Sequence, residues 1–132
     1  IRGKKGRWRM KITAIQIRRL ENTGTKLKAI VTIVLDDMIA VHDIKVLQSA
    51  EDMFLAMPSR LTKQNTFQDV VHPIHSSVRK LLERLIFDAY EQIEELGHAN
   101  MEFLLREDCA ETDFYALNLQ CYEVGRVGVK AE

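Results

Sequence analysis

The chain has 132 residues, 46% of them hydrophobic and 29% charged, which are the proportions of one soluble globular domain. No apolar run reaches 18 residues, so the sequence predicts no membrane-spanning helix and no membrane partner. Lys and Arg together number 19, as do Asp and Glu, and this balance argues against binding of nucleic acid through overall charge.

The charges are nevertheless segregated along the chain. Residues 1–30 contain ten Lys and Arg against one Glu, a net charge of +9, and the remaining residues carry −9. Five of those cations lie in residues 1–9, a basic N-terminal extension that is either native or engineered, and without them the segment carries +4. A chain segregated in this way can still present one basic face.

The two cysteines, Cys109 and Cys121, lie near the C-terminal end. Two cysteines alone are too few for a zinc site, and reduced thiols are the simpler interpretation. The N-terminus also lacks the apolar stretch of a secretory signal. We therefore expect a cytoplasmic protein without a structural disulfide.

The first predicted elements are two strands that form a β-hairpin. Residues 10–20 are rich in β-branched side chains, and a shift of the apolar phase between Ala14 and Ile15 indicates a β-bulge. Residues 22–25, Asn-Thr-Gly-Thr, favour a turn. Residues 27–35 are apolar on one face and partly apolar on the other, which predicts a largely buried central strand.

Shorter strands are predicted next, after a turn at Asp36 and Asp37. These strands are expected at residues 39–47, 53–57 and 67–71. The polar segment between Pro58 and Thr66 has neither a period of 2 nor one of 3.6, so it is interpreted as a surface loop.

The apolar period changes at Val78. From there to Leu96, apolar side chains recur with the i, i+3, i+4, i+7 spacing of an amphipathic helix about five turns long. Ser76 or Ser77 is expected to cap its start, and Gly97 to end it in a left-handed conformation.

Residues 97–132 form an acidic extension in which 98–106 and 112–122 are each compatible with a helix. A run of strands followed by one long helix indicates the α+β class. We therefore predict a small antiparallel sheet of about five strands, a long amphipathic helix and additional C-terminal helices.

Motifs for catalysis or metal binding are weak. His72 and His75 have the H-x-x-H spacing, but Pro73 between them prevents presentation of both rings from a helix. Asp36 and Asp37 are more typical of a turn than of a catalytic carboxylate pair. We predict no metal, no cofactor and no enzymatic activity.

Nucleic-acid binding has better physical support, although a solvated face of a neutral protein explains the same charges equally well. Arg60 and Lys63 in the predicted loop, with Arg79 and Lys80 at the helix start, are expected to form a phosphate seat that includes the helix N–H groups. The complete set of candidate phosphate-binding residues is Arg18, Arg19, Lys26, Lys28, Lys45, Arg60, Lys63, Arg79, Lys80 and Arg84.

Five short blocks occur in the order and at the spacing of a known family. They are Met-Lys-Ile-Thr at 10–13, Lys-Ala-Ile-Val at 28–31, Val-His-Asp-Ile-Lys-Val at 41–46, Phe-Leu-Ala-Met-Pro-Ser-Arg at 54–60 and Phe-Gln-Asp-Val-Val-His-Pro-Ile at 67–74. Together they resemble the bacterial stage V sporulation protein G family of septation regulators over residues 10–96.

The resemblance implies a homodimer that binds DNA, and in some members RNA, to regulate gene expression, septation and sporulation. It places Arg60 at the basic loop position, Lys45 at the basic strand position and Arg79 at a basic position early in the helix. Two of the family's basic residues are replaced here by Leu61 and Gln68, and Lys63 restores one charge at a shifted place.

Two functional hypotheses follow. The first is a non-catalytic, homodimeric, nucleic-acid-binding regulator. The alternative is a protein–protein interaction module that dimerises through a strand edge and the helix without binding nucleic acid directly.

Overall fold

The computed structural model describes residues 10–20 and 24–128, so the predicted 1–9 extension and part of the predicted 22–25 turn lie outside the described residues. The elements, in chain order, are β1 (Ile12–Arg19), β2 (Leu27–Leu35), β3 (Ile39–Gln48), β4 (Met53–Ala56), β5 (Ser59–Leu61), β6 (Phe67–Asp69), α1 (Ser76–Leu96), β7 (Asn100–Leu105) and β8 (Tyr122–Gly128).

Six of the strands form one antiparallel sheet in the order β4-β3-β2-β1-β7-β8. The predicted first hairpin is confirmed, and its register shifts between Ile12 and Ala14, one residue before the predicted bulge. Asp36 and Asp37 both have positive φ, 53° and 55°, as the tight turn between β2 and β3 requires. The α+β class is confirmed.

The core lies between one face of this sheet and α1. Alternate residues of β1 and β2, such as Ile15, Ile17 and Val31, are buried, because side chains of a strand point to opposite faces in turn. The predicted amphipathic helix is confirmed, and its apolar stripe, which includes Leu85 and Ile93, is buried with them. None of the helices in the described ranges is long and apolar enough to cross a membrane.

The sequence predicts the C-terminal cap of α1 correctly but not its N-terminal cap. Gly97 has a φ of 74°, and its N–H donates to the carbonyls of Ile93 and Glu94, as the predicted left-handed cap requires. The predicted serine cap is wrong. Ser76 is already helical, and the extended residue His75 precedes the helix without a capping side-chain hydrogen bond.

The segment predicted as a loop between Pro58 and Thr66 forms most of a hairpin, which we call the arm (residues 59–69). In the arm, β5 pairs only with β6 in a separate two-stranded sheet. The Thr62 hydroxyl lies 2.8 Å from that of Thr66 and also accepts from the Thr66 N–H, so the two threonines close the turn. The strand predicted at 67–71 is confirmed in part by β6, but β5 was not predicted, because its side chains have no buried face and show no apolar alternation.

The predicted C-terminal helices are wrong. The extension instead forms β7, three short 3-10 turns and β8. Met101 and Phe103 alternate with less buried neighbours and are buried opposite Ile17 and Ile15 of β1. The pairing of β7 with β1 satisfies the main-chain N–H and C=O groups along that edge of β1, which a helix in the same place would not do.

Candidate nucleic-acid interface

The ten predicted phosphate-binding residues do not form one surface. Three lie on the face of the sheet that α1 leaves uncovered, two lie on the arm, and two are exposed elsewhere. The remaining three contact main-chain carbonyls within the protein.

The uncovered face of the sheet, which we call the open face, carries Arg18, Lys28 and Lys45. Each lies beside a residue buried under α1, such as Ile17 or Ala29, so alternation points the cation to the other side. Arg18 and Lys45 flank Ile30 in the strand register, one on each side. These cations therefore lie near one another although they are distant in sequence.

A groove of about 430 Å³ crosses the open face, and we call it the groove. Its lining comes from five strands and includes Arg18 and the polar side chains of Gln16, Thr32, His42, Asn100 and Arg126.

A row of polar side chains crosses the groove from β3 to β8. The Thr32 hydroxyl lies 3.0 Å from His42 Nδ1 at one end. Next along the row, the Gln16 amide donates to Glu102 Oε2 at 3.0 Å. Arg126 Nε donates to the other oxygen of Glu102 at 3.2 Å, which completes the row.

The arm presents the second group of cations. Arg60 lies opposite the neutral Gln68, and Lys63 lies in the turn beyond β5. Both side chains are exposed, and no ion pair within the described residues involves either. Their charges are thus available to a partner.

Lys26 and Lys80 are exposed separately from these two groups. Lys26 precedes β2, and Lys80 lies in the early part of α1. Neither has a side-chain hydrogen bond within the described part of the chain. Lys80 remains the available member of the predicted helix-start seat.

Three predicted phosphate ligands instead bond the protein's own main chain. Arg79 donates to the Leu55 carbonyl at 2.8 Å, which ties α1 to β4, and lies 3.6 Å from Glu83. Arg84 donates to the Leu117 carbonyl at 2.8 Å, and Arg19 to the His98 carbonyl at 3.1 Å. Arg79 was expected to form a phosphate seat with the arm, but its guanidinium already bonds the Leu55 carbonyl.

Sequence reasoning missed the part of the groove that the extension supplies. Asn100, Glu102 and Arg126 are on β7 and β8, which the sequence suggested were helical or irregular. The alternation of Asn100 and Glu102 with Met101 and Phe103 was the available signal for a strand, and Leu104 interrupts it.

Comparison with known proteins identifies the family. The protein-family model described as SpoVG matches residues 10–92, well over half of the chain. The "Putative septation protein SpoVG" of Caldanaerobacter subterraneus subsp. tengcongensis is 42% identical over 93 residues, which is 70% of this chain and 100% of that relative. The protein of the same name from Clostridium novyi is 40% identical over 101 residues, 75% of this chain and 100% of the relative. The resemblance of residues 10–96 is thereby confirmed, and the chain belongs to the SpoVG family.

Proposed function

We propose that this chain is a non-catalytic, homodimeric cytoplasmic regulator of gene expression and septation that binds DNA, and also RNA, through exposed cations. The septation role follows the names of its relatives. The observation that carries the binding activity is the arm, where Arg60 and Lys63 are exposed and unpaired among the described residues.

The arm suits phosphate binding for a physical reason. A salt bridge within the protein would have to be broken before a cation met a phosphate, whereas Arg60 and Lys63 exchange only water and counterions. The arm also has no side chain in the core, so Arg60 and Lys63 can contact a phosphate without disturbing the packing of the sheet against α1. Contacts of this kind position nucleic acid without selecting its sequence.

The test is the double variant Arg60→Ala/Lys63→Ala in a fluorescence anisotropy titration with labelled DNA and RNA. Loss of two phosphate contacts should weaken binding about tenfold or more at low salt. It should also reduce the salt slope, the slope of log K against log salt concentration, by about two in magnitude. Gln64→Ala, a neutral change on the same arm, is the control. Absence of binding at low salt, or equal binding by the double variant and the control, would end the proposal.

The homodimer is supported by exposed apolar side chains on and after the arm. Leu61 and Phe67 are directly opposite each other in the arm, and Phe67 is 76% exposed. Val70, Val71 and Ile74 follow and are also exposed. A two-stranded hairpin is marginally stable by itself in water, so a partner that covers this surface would stabilise it.

We take a second copy of the chain as the partner, because the chain also carries an apolar cavity beside this surface. An apolar cavity of about 160 Å³ lies beside the base of the arm and is lined by Val71, Ile33, Leu82 and Phe114 among others. Two copies related by a twofold axis would each insert Phe67 into the other's cavity, which is the self-complementary arrangement of an isologous interface.

The dimer is tested by measuring molar mass with light scattering after size exclusion. The wild-type chain should be a dimer at micromolar concentration, and Phe67→Asp a monomer, because a carboxylate would be desolvated in an apolar cavity. Phe67→Leu, which keeps an apolar side chain, should remain dimeric. A monomeric wild type, or a dimeric Phe67→Asp, would contradict this interface.

The alternative function is a protein–protein module that binds no nucleic acid. The outer edge of β4, which pairs with no strand in the described ranges, favours a strand-edge contact of this kind. The apolar stripe of α1 is buried against the sheet, so the helix is not available for the contact. A stable dimer without any nucleic-acid binding at low salt would favour this alternative.

A further inference from the structure

We propose that the groove on the open face binds an unpaired nucleotide of single-stranded nucleic acid. The inference rests on the proposed function, and it names a second surface and the form of nucleic acid that this surface takes. The arm would then hold the backbone nearby, and the groove would distinguish single strands from duplexes.

The extension builds one side of the groove. Asn100 and Glu102 come from β7 and Arg126 from β8, while Gln16, Arg18 and Thr32 come from β1 and β2. The family match ends at residue 92, so β7 and β8 lie beyond the matched region. The groove therefore depends on strands outside the residues that the family model matches.

The dimensions of the groove suit one nucleotide. Its volume of about 430 Å³ lies in the range of small-molecule clefts, and Ile30 supplies a half-buried apolar floor. A nucleobase can lie on such a floor only when its edges are free of a complementary strand. In a duplex the same base is stacked and paired, so it cannot enter without being extruded.

The side chains across the groove complement the edge of a base. Asn100 has no side-chain hydrogen bond to any described residue, so its amide can both donate and accept. Gln16 uses its amide nitrogen on Glu102, which leaves its carbonyl oxygen as an acceptor. Amide side chains of this kind bond base edges that are splayed out of a helix.

Cations at the groove are placed for the adjoining phosphates. Arg18 is exposed and has no ion pair within the described ranges. Arg126 uses only Nε on Glu102, and its side chain is 84% exposed, so both terminal nitrogens face solvent. Two carboxylates, Asp43 and Glu102, also line the groove, and Arg126 pairs with Glu102. The excess of positive charge on the open face therefore comes from Lys28 and Lys45 beside the groove.

The groove should select among bases. The described part of its lining contains His42 but no Phe, Tyr or Trp, so stacking on those larger rings, which tolerates every base, does not contribute among these residues. Hydrogen bonds to the base edge carry the recognition instead. Binding should therefore differ among oligonucleotides of different base.

The experiment compares two arginines that each pair with a carboxylate, one in the groove and one outside it. Arg126→Gln removes a cation paired with Glu102 in the groove, and Arg106→Gln removes one paired with Asp108 outside it. Each full-length variant, confirmed as folded by its thermal transition, is titrated into labelled single-stranded dA, dC and dT oligomers and the matched duplex. Arg126→Gln should bind single strands about tenfold more weakly at about 50 mM salt, and Arg106→Gln within about twofold of wild type.

Arg18→Gln and Asn100→Ala complete the design. Arg18→Gln should weaken single-strand binding as Arg126→Gln does, and Asn100→Ala should reduce the differences among the three oligomers without changing the salt slope. If Arg126→Gln matches Arg106→Gln, or the duplex binds as tightly as the single strands, the groove inference is overturned while the proposed function stands. If no nucleic acid binds at low salt, the proposed function fails with it.

Discussion

At the scale of single residues, Tyr122 connects the extension to the start of β1. Its hydroxyl donates to the Ile12 carbonyl at 2.6 Å, and the side chain is buried. Burial raises the pKa of the Tyr122 phenol above its ordinary value of 10.0, and the nearby thiols of Cys121 and Cys109 raise it further. The protein therefore holds this phenol in its neutral, donating form.

Tyr122→Phe removes that donor and leaves a carbonyl without this partner in a buried position. We expect the free energy of unfolding at neutral pH to fall by about 1–3 kcal/mol. Because the folded-state pKa is raised, the contribution of Tyr122 is fully present below about pH 10 and is lost as pH rises above that value. Urea unfolding of both proteins across pH 7–11 measures the two effects.

The exposed Tyr115 supplies the control for that measurement. Tyr115→Phe should leave stability near the wild-type value at every pH, because its hydroxyl makes no hydrogen bond to a described residue. A Tyr122→Phe protein as stable as Tyr115→Phe would show that the bond to Ile12 contributes nothing net.

At the scale of elements, regular patterns were predictable where one face of an element is buried. The helix from Ser76 to Leu96 and the first hairpin follow from apolar periodicity, since burial of one face imposes the pattern. The arm has no buried face, so β5 left no pattern to find, whereas β6 falls within the strand predicted at 67–71. β7 was misassigned because its six residues are too few to separate a strand from a helix without knowing that β1 has a free edge.

The candidate site was predictable only in its residue types. Arg60 and Lys63 were placed correctly on an exposed protruding segment. The candidate list also contained three structural cations, Arg79, Arg84 and Arg19. A sequence shows where a cation is, but it does not show which carbonyl the cation bonds. The groove was missed because its two sides come from strands more than 80 residues apart along the chain, such as Gln16 and Glu102.

Arg84 tests the distinction between a binding cation and a structural one. Arg84→Ala breaks the bonds from α1 to the Leu117 and Tyr115 carbonyls, and should lower the free energy of unfolding by about 1–2 kcal/mol. The salt slope of nucleic-acid binding should be unchanged. Lys80→Ala, one turn earlier and free of such bonds among the described residues, should instead leave the free energy of unfolding near the wild-type value and reduce the salt slope. A strongly reduced salt slope for Arg84→Ala would mean that Arg84 contacts nucleic acid and belongs to the binding surface.

At the scale of the whole molecule, the extension is part of the sheet and not an appended tail. β7 covers the edge of β1, and Leu117 and Phe103 of the extension are buried in the common core. Arg84 and Tyr122 add hydrogen bonds from two further directions. Loss of the extension would therefore expose both main-chain groups and apolar side chains at once.

A chain that ends at Gly97 should consequently be less stable and more prone to associate. The edge of β1 that β7 covers would then present free N–H and C=O groups. Ile15 and Ile17 would also lose the cover that Phe103 and Met101 give them in the full chain. We expect a lower unfolding midpoint in urea and a molar mass by light scattering that rises with protein concentration.

The variant Phe67→Asp separates this association from the proposed dimer. In the full-length chain it should give a monomer, but in the chain ending at Gly97 it should leave association through β1 intact, because the arm and the β1 edge are different surfaces. A truncated chain with the wild-type midpoint, or one made monomeric by Phe67→Asp, would mean that β7 and β8 do not protect the sheet edge.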